Sequence, residues 1–266
     1  MRSGAALLVW FSFALILIVQ PAAAWAMSMD INQLSLFLWS PGVNTGINGT
    51  SALQQDIIIG PNNLSGGPFA DFVAQGFNVS VTNNLNSNNY GSIGVTITNP
   101  GGPLLTPVNL IALLDADIVS NSGGTDNNLD RSGPGTNHGS ATAFQVDDPI
   151  SGTLINNILA GTLDNTDHIG SAGGDVAFGL LYALSSFGVG DQINATLLIS
   201  STDNGGLHQF RNSTELFFNA DVTLTHVGDG GPAPTATPEP MSLVLLGTGA
   251  GLAVLRRVRR APEAAL

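Results

Sequence analysis

The sequence predicts an all-β body, an antiparallel β-sandwich, held between an apolar N-terminal helix and an apolar C-terminal helix. Three observations carry that expectation. Across residues 27–227, Asp, Asn, Ser, Thr and Gly fill the gaps between short β-branched and aromatic runs, the texture of many short strands with turn punctuation. Several of those runs alternate apolar and polar residues with period two, as strands buried on one face do. The two ends of the chain hold instead long, mainly apolar stretches flanked by arginine.

Residues 1–26 have the order of a secretory signal peptide. Arg2 supplies the positive n-region, residues 5–19 the apolar h-region, and Ala24-Trp25-Ala26 a small-x-small cleavage pattern. Ala22-Ala23-Ala24 is a competing cut site, and an uncleaved N-terminal anchor is the alternative. Either way the chain is expected to be exported.

The body follows as residues 27–227. Residues 32–39 alternate through Leu34, Leu36 and Leu38, and 56–60 carry Ile57, Ile58 and Ile59. Residues 77–82 alternate through Phe77, Val79 and Val81, and 83–89 form an Asn-rich turn region, where Asn tolerates left-handed backbone. Residues 92–98 alternate through Ile93, Val95 and Ile97, Asn99-Pro100-Gly101-Gly102 punctuates, and 108–114 is a further apolar run. Residues 90–117 therefore predict a hairpin turning at Gly-Gly. Strands are also expected at 142–146, 153–159, 193–200 and 216–224. Residues 176–184 have the Ala and Leu content of a helix, but Gly179 sits mid-run and Val176, Phe178 and Leu180 alternate, which favours a strand. Nine or ten strands suit one sandwich with Greek-key links. Two long loops, 120–140 and 161–174, stand out as functional or mobile. The 90–117 pair loosely resembles a sheet edge of the immunoglobulin-like repeats of bacterial surface proteins, which implies an immunoglobulin-like or jelly-roll-like sandwich.

Residues 228–237, Gly-rich and then Pro-Thr-rich, are a linker, flexible in its first part and extended in its second. Residues 238–260 then run in three parts: Pro238-Glu239-Pro240, an apolar run over 241–255, and Arg256, Arg257, Arg259 and Arg260. A helix of about fifteen residues reaches roughly 22 Å, short for a hydrocarbon core of about 30 Å. Local thinning and snorkelling arginines accommodate such a mismatch, and the arginine cluster places residues 261–266 in the cytoplasm. A buried amphipathic helix with a basic last turn is the alternative. Gly247, Gly249 and Gly251 weaken a soluble helix and are common in membrane helices.

The order of motif, apolar run and basic cluster resembles the sorting tail of PEP-CTERM proteins, the substrates of exosortases. That resemblance covers residues 232–260. It implies processing by a membrane-embedded exosortase, and a host that makes exopolysaccharide, so a matrix or biofilm role. Pro238, Glu239, Pro240 and the four arginines are then a recognition site for another enzyme, not an active site of this chain.

Composition narrows the chemistry. There is no cysteine, hence no disulfide framework, thiolate nucleophile or cysteine metal site. No lysine occurs, and between residues 27 and 240 only Arg131 and Arg211 are basic, against sixteen aspartates, Glu215 and Glu239. Nucleic-acid partners need a basic footprint and are excluded for the body. The sequence contains no His-Glu-x-x-His, no Gly-x-Ser-x-Gly and no phosphate-cradling glycine loop. His138, His168, His208 and His226 are scattered, so no catalytic residue is assigned and no enzyme is expected.

Calcium is the better-motivated ligand. Asp126, Asn128 and Asp130 place side-chain oxygens at alternate positions, which resembles the first half of an EF-hand loop. Arg131 stands where the turn glycine belongs and Asn137 where the bidentate glutamate belongs, so an EF-hand proper is excluded. A looser site remains, helped by Asp115 and Asp117 or by Asp147 and Asp148; the plainer alternative is that these Asp and Asn residues only form turns. Trp39, Tyr90 and Tyr182 are the aromatic candidates for stacking a sugar, with a core role the alternative for Trp39. The expectation is therefore an exported surface or extracellular-matrix protein. The alternatives are a calcium-dependent carbohydrate- or protein-binding module and an exported hydrolase.

Overall fold

The computed structural model describes residues 29–41, 43, 50–60, 69–118, 130–133 and 138–226. The signal peptide, the linker, the sorting tail and its cytoplasmic end, and Asp126 and Asn128 lie outside those residues. In chain order come β1 (Met29–Trp39), β2 (Ala52–Ile59), α1 (Asp71–Ala74), β3 (Asn78–Leu85), β4 (Gly91–Thr98) and β5 (Val108–Ile118). Then follow β6 (Arg131–Ser132), β7 (Ala143–Asp147), α2 (Leu154–Leu159), β8 (Thr166–Asp167), a 3-10 turn at Gly170–Ala172, β9 (Ala177–Leu184), β10 (Gln192–Ser200), β11 (Leu207–Arg211) and β12 (Thr214–Thr225).

The strands form two six-stranded sheets, ordered β2-β1-β5-β9-β7-β8 and β3-β4-β10-β12-β11-β6. Every paired neighbour is antiparallel except the short β7–β8 pair. The alternating apolar residues meet in one cluster to which both sheets contribute. Leu34, Leu36, Leu110, Leu114, Phe178 and Leu180 come from the first sheet; Ile93, Ile97, Ile193, Leu197, Leu216 and Phe218 come from the second. The Phe178 and Phe218 rings stack across the sheets with centroids 6.2 Å apart. The buried Tyr182 hydroxyl donates to the Ala220 carbonyl at 2.7 Å, so its polar end is satisfied inside the core.

The sheets differ on their other faces. Across the second sheet, register aligns rows of small polar side chains: Asn78, Thr98, Gln192 and Thr225; Ser80, Thr96, Asn194 and Thr223; Thr82, Gly94, Thr196 and Asp221. These positions are exposed or half-buried. The outer face of the first sheet is covered instead. There Phe37, Ile111, Leu113 and Leu181 pack under Leu154 and Ile158 of α2. Gly179 makes room for that cover, since a Cβ at this position would stand 2.8 Å from a Leu154 methyl.

Several expectations are corrected. Within 153–159 the chain forms a helix, Leu154–Leu159, not a strand: Leu154 and Ile158 are four apart and share one buried face. Asp147 Oδ2 fixes the chain at the helix entrance by accepting the Thr153 N–H at 2.7 Å. The 90–117 hairpin does not form, because β4 and β5 lie in different sheets. Between them the Asn99 side chain folds the link on itself, donating to the Pro103 carbonyl at 3.0 Å and accepting the Gly102 N–H at 2.6 Å. The true hairpin partner of β4 is β3. Residues 83–85 belong to β3 rather than to the turn, which is confined to 86–90, where the Asn86 carboxamide accepts from Asn88 and Tyr90 and Asn89 is left-handed. The loop 161–174 holds β8 and the 3-10 turn. Among the described residues, no helix is long and apolar enough to cross a membrane.

Candidate functional site

The densest unusual chemistry lies where β1 and β5 meet at the end of the first sheet. Asp115 and Asp117 alternate with Leu114, Ala116 and Ile118, so period two sends both carboxylates to the face away from the shared core. Opposite them β1 carries a bulge. Ile31 pairs with Ala116 and Gln33 with Asp115, leaving Asn32 as the extra residue. A bulge re-aims the side chain it inserts, and Asn32 Nδ2 donates to Asp117 Oδ2 at 2.9 Å. Asp175, just before β9, and Asp130, just before β6, are brought side by side by a bridge between Asp130 and Gly174.

These side chains are enclosed: Asp130 is 1 % exposed, Asp115 2 %, Asn32 and Asp117 3 % each, and Asp175 7 %. Asp130 is the best satisfied. Its Oδ2 accepts from Gln209 Nε2 at 2.7 Å and from the Ile118 N–H at 3.3 Å, and Arg211 Nη1 stands 3.8 Å from Oδ1. Its Oδ1, however, has no hydrogen-bond partner, and the same holds for the buried Oδ1 of Asp115, Asp117 and Asp175 and the amide oxygens of Asn32 and Gln209. Burial, then the fields of Asp175 and Asp117, push the Asp115 carboxyl up to about 8. Burial, then Asp117 and Asp148, push Asp175 up to about 6. Burial raises Asp130 to about 6 against the hydrogen bonds from Ile118 and Gln209 and the charge of Arg211. Burial also raises Asp117, opposed by its bond from Asn32. A buried carboxylate without a partner is costly, so the cluster either holds protons or attracts a cation.

Of the sequence-predicted calcium residues, Asp130 joins this cluster, together with the suggested helpers Asp115 and Asp117. Asp147 and Asp148 already hold hydrogen bonds of their own, although the charge of Asp148 reaches Asp115 and Asp175. Asp147 accepts from Thr153 and Gln145. Asp148 accepts the N–H groups of Ile150 and Ser151, which outweigh its burial and lower its pKa. Asn32 and Asp175 escaped sequence reading, since a bulge and a cross-sheet bridge leave no local pattern. Among the described residues, no three acidic or imidazole side chains converge as a ready-made metal centre.

The histidines are occupied individually. His168 Nε2 meets Asp164 Oδ2 at 2.7 Å, a hydrogen bond that raises its pKa, and His226 Nδ1 lies 3.1 Å from Asp191. His208 stacks on Phe217 with centroids 4.3 Å apart, and His138 stacks on Phe144. Trp39 is half-buried at the end of β1, and its indole lies against left-handed Gly161. Tyr90 is half-buried and its hydroxyl points to the Glu215 carbonyl at 3.4 Å. Comparison with known proteins finds no matching family model, no similar curated protein and no matching solved structure.

Proposed function

We propose that the chain is an exported bacterial surface or extracellular-matrix protein, structural rather than catalytic. Its body is a β-sandwich delivered by its two ends. The observation that carries this reading is the order at the C-terminal end: Pro238-Glu239-Pro240, an apolar run, then four arginines within five residues. Such a segment enters the inner membrane with its arginines held in the cytoplasm, leaving the body and linker outside. An exosortase-type enzyme then recognises the Pro-Glu-Pro signal and removes the tail. Loss of the N-terminal signal peptide and of this tail releases the body to the cell surface.

The second sheet supports a matrix role. Its outer face aligns hydroxyl and carboxamide groups in rows with little charge, a surface suited to hydrogen bonding with a hydrated polysaccharide. Thr96 Oγ1 and Gln192 Nε2 both bond Asn194 Oδ1, at 3.1 and 2.7 Å, which holds that row in place. The test is Glu239→Ala in the native host. The variant should accumulate as full-length precursor in the inner membrane; a variant processed and exported like the parent would remove the basis of the proposal.

A further inference from the structure

We propose that the end of the first sheet is a calcium site, with Asp115, Asp117 and the amide oxygen of Asn32 as protein ligands and Asp175 as a flanking charge. This goes beyond the surface role and does not depend on it. Beside the unbonded Oδ1 of Asp130, which Arg211 faces at 3.8 Å, four oxygens there, on Asn32, Asp115, Asp117 and Asp175, are buried without a hydrogen-bond partner, on side chains that are each more than nine-tenths buried. The same end of the sheet carries the one bulge that adds a residue to β1, and that residue is Asn32. Without the bulge, Asn32 would fall into the alternation of β1; with it, the carboxamide reaches the Asp117 carboxylate.

The donor set selects the ion. All the free donors are oxygens, and the chain has no thiolate, which disfavours zinc. Calcium accepts six to eight oxygens from carboxylates, Asn side chains, backbone carbonyls and water in a flexible shell. Two carboxylates and one carboxamide therefore suffice as the side-chain share, in keeping with the absence of three converging acids among the described residues. Magnesium is smaller, demands a near-ideal octahedron and dehydrates reluctantly, so side chains as enclosed as these favour the more flexible calcium shell. Among the described residues, Arg211 stands 3.8 Å from Asp130 and its charge also reaches Asp117, while no cation acts on Asp115 or Asp175. Placed between Asp115 and Asp117, a divalent ion would neutralise their mutual repulsion and tie β5 to the β1 bulge.

The test uses the full chain in detergent, stripped with chelator. Extracellular calcium modules bind with dissociation constants of about 10⁻⁴–10⁻³ M. About 10 mM calcium should then raise the Tm by about 3–6 °C for a body of this size, and equal magnesium by less than half as much. Asp115→Asn and Asp117→Asn should each abolish the calcium shift, while Asp221→Asn, on the exposed face of the second sheet, should keep it. Equilibrium dialysis of the unmutated chain, which needs no variant to fold, should find at least one bound calcium. No shift and no bound ion, a shift retained in both variants, or an equal shift with magnesium would overturn the assignment.

Discussion

In β10, Ile193, Ala195, Leu197 and Ile199 are buried while Gln192, Asn194, Thr196, Leu198 and Ser200 are half or fully exposed. In β5 the same alternation holds, yet the positions that would face solvent, Ile111, Leu113, Asp115 and Asp117, are enclosed as well. The difference comes from what lies on top. The second sheet meets the shared core on one side and water on the other. The first sheet meets the core on one side and α2 with the 161–165 segment on the other. A sheet wetted on one face needs only small polar groups outside. A sheet covered on both faces must satisfy every polar group it encloses, and at its acidic end it does not.

The contrast can be broken from the core outward. Phe178→Ala empties the stack that joins the sheets and should destabilise by about 3–5 kcal/mol, read by chemical denaturation. A loss under 1 kcal/mol would mean that the sheets do not depend on one another. Ile158→Ala strips α2 from the first sheet only. It should cost about 2–3 kcal/mol, toward the low end for a buried isoleucine because a six-residue helix can settle into the gap. Thr196→Ala, on the bare face of the second sheet, should stay within about 0.5 kcal/mol. Equal losses for Ile158 and Thr196 would erase the distinction between covered and open faces.

A smaller effect separates the acidic end from the rest. Asp115, Asp130 and Asp175 hold their protons more tightly folded than unfolded. Their contribution to stability is full below the ordinary carboxylate value, about pH 4, and is lost as pH rises through about 6 for Asp130 and Asp175 and about 8 for Asp115. His168, with its raised pKa, adds the same sign. The chelator-treated chain should therefore lose Tm steadily from pH 5 to pH 8.5, and Asp115→Asn should flatten the upper part of that slope. A Tm that climbs with pH would contradict the burial of these carboxyls.

The strands of the open sheet were legible because one-sided burial writes itself as alternation. Residues 92–98, 193–200 and 216–224 anticipate β4, β10 and β12 almost to the residue. The covered sheet is harder to read. Leu154 and Ile158 fit a strand or a helix until Gly179 is seen beneath them, and the length of β5 through Asp115 and Asp117 runs against the usual exposure of aspartate. β11 left no apolar period, because its inward positions are Leu207, Gln209 and Arg211. The latter two turn inward to carbonyls of β5, Gln209 to Ala116 at 3.0 Å and Arg211 to Ile118 at 3.4 Å. The candidate site was half legible. Asp115 and Asp117 stand out as acids closing an apolar run, and Asp130 by its alternation with Asp126 and Asn128, but Asn32 and Asp175 enter through a bulge and a bridge that only the folded chain creates.

In the proposed function the folded body is cargo and the two ends are its address. The measurement that tests this most directly is the intact mass of the protein recovered from its native host, fraction by fraction. A surface or medium species that begins near Met27 and lacks residues 241–266 is the predicted result, and added mass at its new C-terminus would identify what it is joined to. A species that retains Arg256, Arg257, Arg259 and Arg260 and remains in the membrane fraction would contradict it, because the tail would then be a permanent anchor.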